Sequence, residues 1–201
     1  MSAPKKRTVP PPDQASPYDI KSMIHLPAGQ ERIQLFIDMH VADEQKSPES
    51  RSWMAEILPH LSLISSSPAS PPQHGPRLTF RFDVKHVHSN AIGNMQGGCI
   101  STVFDYTTSL ALGMMNKPGF WFFLGVTRTL TVTVLRPVAV GEAVLVECEV
   151  VHAGRKLAHI KGTMRREGDG AVLAVCEHDK VNTDPPVEML KELMRPEDSK
   201  L

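Results

Sequence analysis

Residues Gly97 to Met114 are apolar on nearly every side, carrying Ile100, Val103, Phe104, Leu110, Ala111 and Met114, with Asp105 the only charge among them. The spacing predicts one long helix, and a helix that is apolar all round has to be buried. Whatever this chain folds into must therefore wrap other elements around that segment. Those elements are visible on both sides of it. Before it, Leu78 to Val84 places Leu78, Phe80, Phe82 and Val84 alternately with polar residues, the pattern of a half-buried strand. After it, Val126 to Leu135 alternates Thr with aliphatics, and Ala143 to His152 sets Val144, Val146, Cys148 and Val150 against Leu145, Glu147 and Glu149. Ala153-Gly154-Arg155-Lys156 reads as a turn, Leu157 to Arg166 as a return strand, and Glu167-Gly168-Asp169-Gly170 as a hairpin leading into Ala171 to Val181. Short connections between the later strands predict an antiparallel sheet. The fold class is α+β, one central helix wrapped by the sheet. No internal repeat is visible.

The remaining chain divides by composition. Residues 1–25 are Pro-rich and read as a disordered tail. Residues 26–75 read as a helical extension and linker. A helix is expected from Pro27 to about Val41, where Ile33, Phe36, Ile37 and His40 recur at helical spacing. A second, short one is expected from Glu49 to Ile57, ended by Pro59. Ser65-Ser66-Ser67-Pro68 and Ser70-Pro71-Pro72 look like linker or loop. Residues 76–183 form the main domain, and residues 184–201 a C-terminal tail.

Acidic and basic residues number 22 each, so the charge balance gives no argument for a nucleic-acid or membrane-surface partner. No apolar run is long enough to span a bilayer. Lys5-Lys6-Arg7 is followed by Pro10-Pro11-Pro12 rather than an apolar stretch, which excludes a secretory signal peptide. A solvated tail fits the basic trio better than a nuclear address. Cys99, Cys148 and Cys176 show no metal-ligand spacing, and their odd number fits reduced thiols. The sequence ends in Ser199-Lys200-Leu201, a receptor-read peroxisomal address. The expected location is therefore peroxisomal, with an import receptor as partner and the cytoplasm as the alternative.

The run Asn90 to Asp105 concentrates the chemistry. It joins a loop amide, the Gly97-Gly98 helix start and a carboxylate within the apolar helix. A helix N-terminus offers unpaired N–H groups and partial positive charge. Such a device polarises a carbonyl, and a carboxylate can activate water. Together they point to hydrolysis of an activated acyl group. Burial within an apolar helix predicts a raised pKa for Asp105, and a structural alternative pairs it with Arg128 or Arg136. Other motifs carry less. His86 and His88 lack further clustered ligands, so no metal site is expected. Cys99 fits a small core residue better than a nucleophile. The Gly-x-Ser-x-Gly nucleophile elbow is absent.

The ordered set Asn90-Ala91-Ile92-Gly93-Asn94-Met95-Gln96-Gly97-Gly98, Asp105, Gly125 to Leu130, Leu135-Arg136-Pro137-Val138, Gly141-Glu142 and Val151 to Ala158 resembles the hotdog-fold thioesterases. Within them it resembles the phenylacetate-type acyl-CoA thioesterase group and its fungal members. The resemblance spans roughly residues 76–183 and implies a hotdog fold with an N-terminal helical extension. It implies hydrolysis of acyl-CoA to free acid and coenzyme A, within fatty-acid or secondary-metabolite metabolism, with no cofactor beyond the coenzyme A of the substrate. It further implies a homodimer or dimer of dimers in which Asp105, as base or nucleophile, acts on a thioester held by the partner subunit's Gly-Gly loop. Thr127 would help hold the water, Asn90 would fix the loop or contact the carbonyl, and the Gly97 or Gly98 N–H would receive the oxyanion. Arg128, Arg155 and Lys156, or Arg136, would meet coenzyme A phosphates. One position departs from the pattern: Gln96 stands where the family usually has His. Gln keeps a donor and an acceptor but does not titrate. Activity is therefore expected if this position orients the thioester rather than transferring a proton. Two other functions compete. A hotdog hydratase or dehydratase needs a His near the Asp, and none lies in residues 97–115. A non-catalytic acyl-CoA or acyl-carrier binder is motivated by Gln96.

Overall fold

The computed structural model describes residues 28–45, 52–70 and 75–193. The N-terminal tail with Lys5-Lys6-Arg7 and the terminal Ser199-Lys200-Leu201 lie outside the described residues. Helix α1 spans Gln30–Gln45. It is followed by strands β1 (Leu61–Ser67) and β2 (Arg77–Asp83), helix α2 (Gly97–Ala111) and strands β3 (Val126–Val134), β4 (Ala143–Ala153), β5 (Leu157–Arg166) and β6 (Val172–Val181). A short helix α3 covers Val187–Leu193. The strands form one six-stranded sheet in the order β1-β2-β4-β5-β6-β3, antiparallel at every pairing. β4, β5 and β6 are joined by tight turns, whereas β3 crosses to the far edge beyond β6.

Register sorts the side chains into two faces. Leu78, Cys148, Gly162, Cys176 and Val132 align in one row, and Phe80, Val146, Met164 and Ala174 in the next. These rows face α2. The rows between them carry Thr79, Glu147, Thr163, Val175 and Thr133, so the opposite face is largely polar. Ile100, Val103, Phe104, Leu110 and Ala111 of α2 are buried against the apolar face. Gly162 is what lets the helix come so close. A Cβ there would meet Cys176 Sγ at 2.6 Å and Phe104 Cδ1 at 2.8 Å. The long helix ends three residues earlier than its apolar pattern, and Leu112–Met114 tighten into a 3-10 turn.

Two expectations for the extension fail. The helix expected from Glu49 to Ile57 does not form at residues 52–57, which make turns leading into a 3-10 turn at Leu58–His60. There Ser52 Oγ accepts from the Met54 N–H at 3.0 Å, a local bond that competes with helix. Six residues are also too few to hold a helix by themselves. Ser65-Ser66-Ser67, read as linker or loop, end strand β1, which pairs with β2 from Leu61↔Phe82 to Ser67↔Arg77. An edge strand is held by one ladder of backbone bonds and needs little apolar content, so its four serines do not prevent it.

Candidate functional site

Asp105 lies midway along α2 beside the sheet edge formed by β3. Its Oδ1 accepts the Thr127 hydroxyl proton at 2.6 Å and lies 3.4 Å from His178 Nε2. Arg128 and Arg136, the partners weighed for it from sequence, are not in this cluster; Arg136 instead donates to Val172 O at 2.6 Å. The Asp105 side chain is 49% exposed in the single chain, so the burial expected from the apolar helix is absent here. Thr127 reaches Asp105 because of a β-bulge. Thr129, Thr131 and Thr133 alternate on the polar face, and simple alternation would put Thr127 there too. The register between β3 and β6 shifts between Thr127 and Thr129, so Thr127 pairs with Lys180 on the helix side. A bulge of this kind re-aims one side chain at little cost to the ladder.

His178 completes the cluster and was not legible from sequence. It lies on β6, fully buried, 2.9 Å from Thr127 Oγ1 through Nε2 and 2.7 Å from Thr108 Oγ1 through Nδ1. Thr127 has spent its one proton on Asp105, so His178 Nε2–H donates to Thr127 Oγ1. Thr108 Oγ1 lies between Nδ1 and the Phe104 carbonyl, which is 2.5 Å away. Burial, with help from Lys180, pushes His178 down to about 4. Lys180 is itself buried and donates to Ser109 Oγ at 2.6 Å, while Ser109 Oγ donates to the Asp105 carbonyl at 2.6 Å. The sequence signal was the alternation of β6, which puts a His and a Lys on the face it otherwise gives to Cys176 and Ala174. The absence of a His from the helix therefore does not set a hydratase aside. What disfavours one is that both ring nitrogens of His178 are engaged inside the protein.

The helix start lies eight residues from Asp105, about 12 Å along the axis. Gln96 is the N-cap, and its Oε1 accepts from Cys99 N at 3.1 Å. Among the described residues the N–H groups of Gly97 and Gly98 have no acceptor, and both glycines are exposed. Asn90 holds the preceding loop: Oδ1 accepts from the Ile92 and Asn94 N–H groups, both at 3.1 Å. This leaves the Nδ2 donor for another partner. The structure thus brings Asp105 to Thr127 and leaves Asn90 on the loop that leads into Gln96, Gly97 and Gly98, so the residues fall in two separate groups within one chain.

Arg128 borders a recess of about 160 Å³ shared with His152, His159 and Lys180. Arg155 and Lys156 are exposed on the β4–β5 turn that begins beside it. Cys99 is buried, its thiol pushed up to about 11 by desolvation, which fits a core residue rather than a nucleophile. His88 is also buried and structural, bonded through Nδ1 to Lys85 N and through Nε2 to Glu56 O.

A six-stranded antiparallel sheet wrapped on one central helix, preceded by a further helix, is a hotdog fold. Residues 92–173 match the model of the Thioesterase superfamily. Human acyl-coenzyme A thioesterase 13 is 24% identical over 124 residues, covering 62% of this chain and 81% of that protein. Zebra fish thioesterase superfamily member 2 superposes with a TM-score of 0.60 at 21% identity, covering 74% of this chain and 96% of that one. A hypothetical thioesterase of Streptococcus pneumoniae, solved with coenzyme A, superposes at 0.52 with 17% identity, covering 63% of this chain and 88% of that one. The fold is the hotdog fold, and residues 92–173 within it match the Thioesterase superfamily.

Proposed function

We propose that the chain hydrolyses acyl-CoA thioesters to free acid and coenzyme A at a site shared by two copies. The observation that carries this is the division of one helix into two half-sites. Open N–H groups lie at its start, and a water-activating Asp105–Thr127 pair lies about 12 Å further on. A thioester carbonyl cannot touch both within one chain. A second copy supplies the missing half. β3 is a sheet edge with exposed Val126 and Val134, the kind of edge that pairs with another strand.

In this reading the Gly97 N–H and Asn90 Nδ2 of one subunit receive the carbonyl oxygen, whose charge grows as water attacks. Asp105 and Thr127 of the other subunit hold that water, and Asp105 takes its proton as the new C–O bond forms. The tetrahedral intermediate expels the coenzyme A thiolate, which recovers the proton. His178 fixes Thr127 and Asp105 from behind. Gln96 acts by capping the helix, a role that needs no titration, which favours catalysis over binding alone. Arg128, Arg155 and Lys156 are suited to the coenzyme A phosphates.

Thiol release from a panel of acyl-CoA esters tests the reaction. Asp105→Asn is expected to lower kcat by about 100-fold or more with little change in KM. Tight binding of acyl-CoA with no thiol released by the wild-type chain would instead establish the binder. The peroxisomal location is a proposal resting on Ser199-Lys200-Leu201, and it places the substrate among esters of fatty-acid or secondary-metabolite turnover. Deleting Leu201 from a fluorescently tagged chain is expected to abolish peroxisomal import; unchanged import contradicts it.

A further inference from the structure

A groove of about 390 Å³ runs between the turn at residues 52–57 and the start of α2. Trp53, Ile57, Val87 and Cys99 form its apolar walls, and it reaches Gln96. Trp53 is 76% exposed, and Val87 is 55% exposed. The indole is nonetheless fixed. Its Nε1 donates to Thr102 Oγ1 at 3.0 Å, and Thr102 Oγ1 donates to the Gly98 carbonyl at 2.9 Å. Trp53 is thus anchored to the first turns of the helix whose N–H groups receive the thioester carbonyl in the reading above. Large apolar side chains held in water beside such a site call for an apolar cover.

The lining also says what the occupant is not. Among the described residues no Lys or Arg borders the groove, and the one carboxylate among them is Glu56. Phosphates of the coenzyme A nucleotide meet no cation among these lining residues. His88 offers only ring carbon, since both its nitrogens are bonded within the protein. The volume is of the order that drug-sized apolar groups fill, far beyond what an acetyl group needs. The wall at residues 52–57 lies outside residues 92–173, which match the superfamily model.

We propose that this groove receives the acyl group of the thioester, and that Trp53 selects medium-chain acyl groups over acetyl. The proposal rests on the thioesterase reading for its substrate, but it has a test that needs no turnover. S-octyl-coenzyme A, a thioether with no carbonyl to hydrolyse, is added during acrylamide quenching of tryptophan fluorescence. Trp121 is fully buried, so the quenchable emission is that of Trp53. The octyl thioether is expected to cut the quenching constant about threefold or more by covering the indole, and free coenzyme A is not. Quenching unchanged by the thioether, whether it binds elsewhere or not at all, overturns the proposal. In the kinetic arm, Trp53→Ala and, on the facing wall, Val87→Lys are each expected to lower the octanoyl-to-acetyl ratio of kcat/KM about tenfold. A ratio that does not move in either variant overturns the selection. A wild-type chain that hydrolyses no thioester sinks the enzymatic reading alone, and quenching still decides the groove.

Discussion

Gly97 offers an unusually clean substitution. It is the first helical residue, where proline is tolerated because its missing N–H has no helical acceptor. Gln96 already has the extended backbone that a following proline requires, at φ −69° and ψ 138°, and a Cβ at Gly97 meets nothing within 4 Å. Gly97→Pro should therefore fold with a melting temperature close to wild type while losing one oxyanion donor. Its kcat is expected to fall by about 100-fold to 1,000-fold in a thiol-release assay; an unchanged kcat would assign the oxyanion to another donor. His178 makes a second prediction at this scale. The fold binds its proton less readily than the unfolded chain, with the pKa down from 6.5 to about 4. The stability of the neutral ring is thus fully present above pH 6.5 and is lost as pH falls toward 4. That shift corresponds to roughly 3 kcal/mol. Thermal melts should show His178→Asn removing a matching part of the acid sensitivity. Equal acid sensitivity in the two chains would mean that His178 is not the buried group that charges. Asp105, Gly97, Asn90 and Thr127 were legible because they fall in short motifs. His178 was not, because it meets Asp105 only through the pairing of β6 with β3.

At the scale of elements, patterns of apolar spacing carried most of the fold. The strands β2, β3, β4, β5 and β6 and the buried helix all announce themselves by period. β1 does not, because an edge strand rich in Ser looks like a loop until a partner ladder is present. The bulge in β3 is equally silent, since alternation runs straight through it, yet it decides which face Thr127 occupies. Deleting Arg128 removes the extra residue and should return Thr127 to the polar face. The deletion is expected to lower kcat about as far as Thr127→Val does, by about 10-fold to 100-fold. Arg128→Ala keeps the bulge and should mainly raise KM, because the loss is then of charge beside the recess. Equal kinetic profiles for the deletion and Arg128→Ala would contradict this role of the bulge.

For the whole molecule, the central helix acts as a ruler. Its length fixes the distance between the open N–H groups at its start and the Asp105 carboxylate, and that distance exceeds the reach of one thioester. Sequence could indicate both ends of the ruler, but the gap between them becomes a constraint only once the helix is known to be continuous from Gly97 to Ala111. Among the described residues no helix is long and apolar enough to cross a membrane, and the open edge at β3, with Val126 and Val134 exposed, is where the proposed second copy would pair. Complementation between two inactive chains tests this arrangement most directly. Asp105→Asn and Gly97→Pro chains, given different tags and co-expressed, can be purified as a mixed dimer. One of its two sites then holds both lesions and the other holds neither. The mixed dimer is expected to recover about half the wild-type rate of thiol release, while each mutant homodimer stays near background. A mixed dimer no more active than the homodimers would contradict a site shared across subunits.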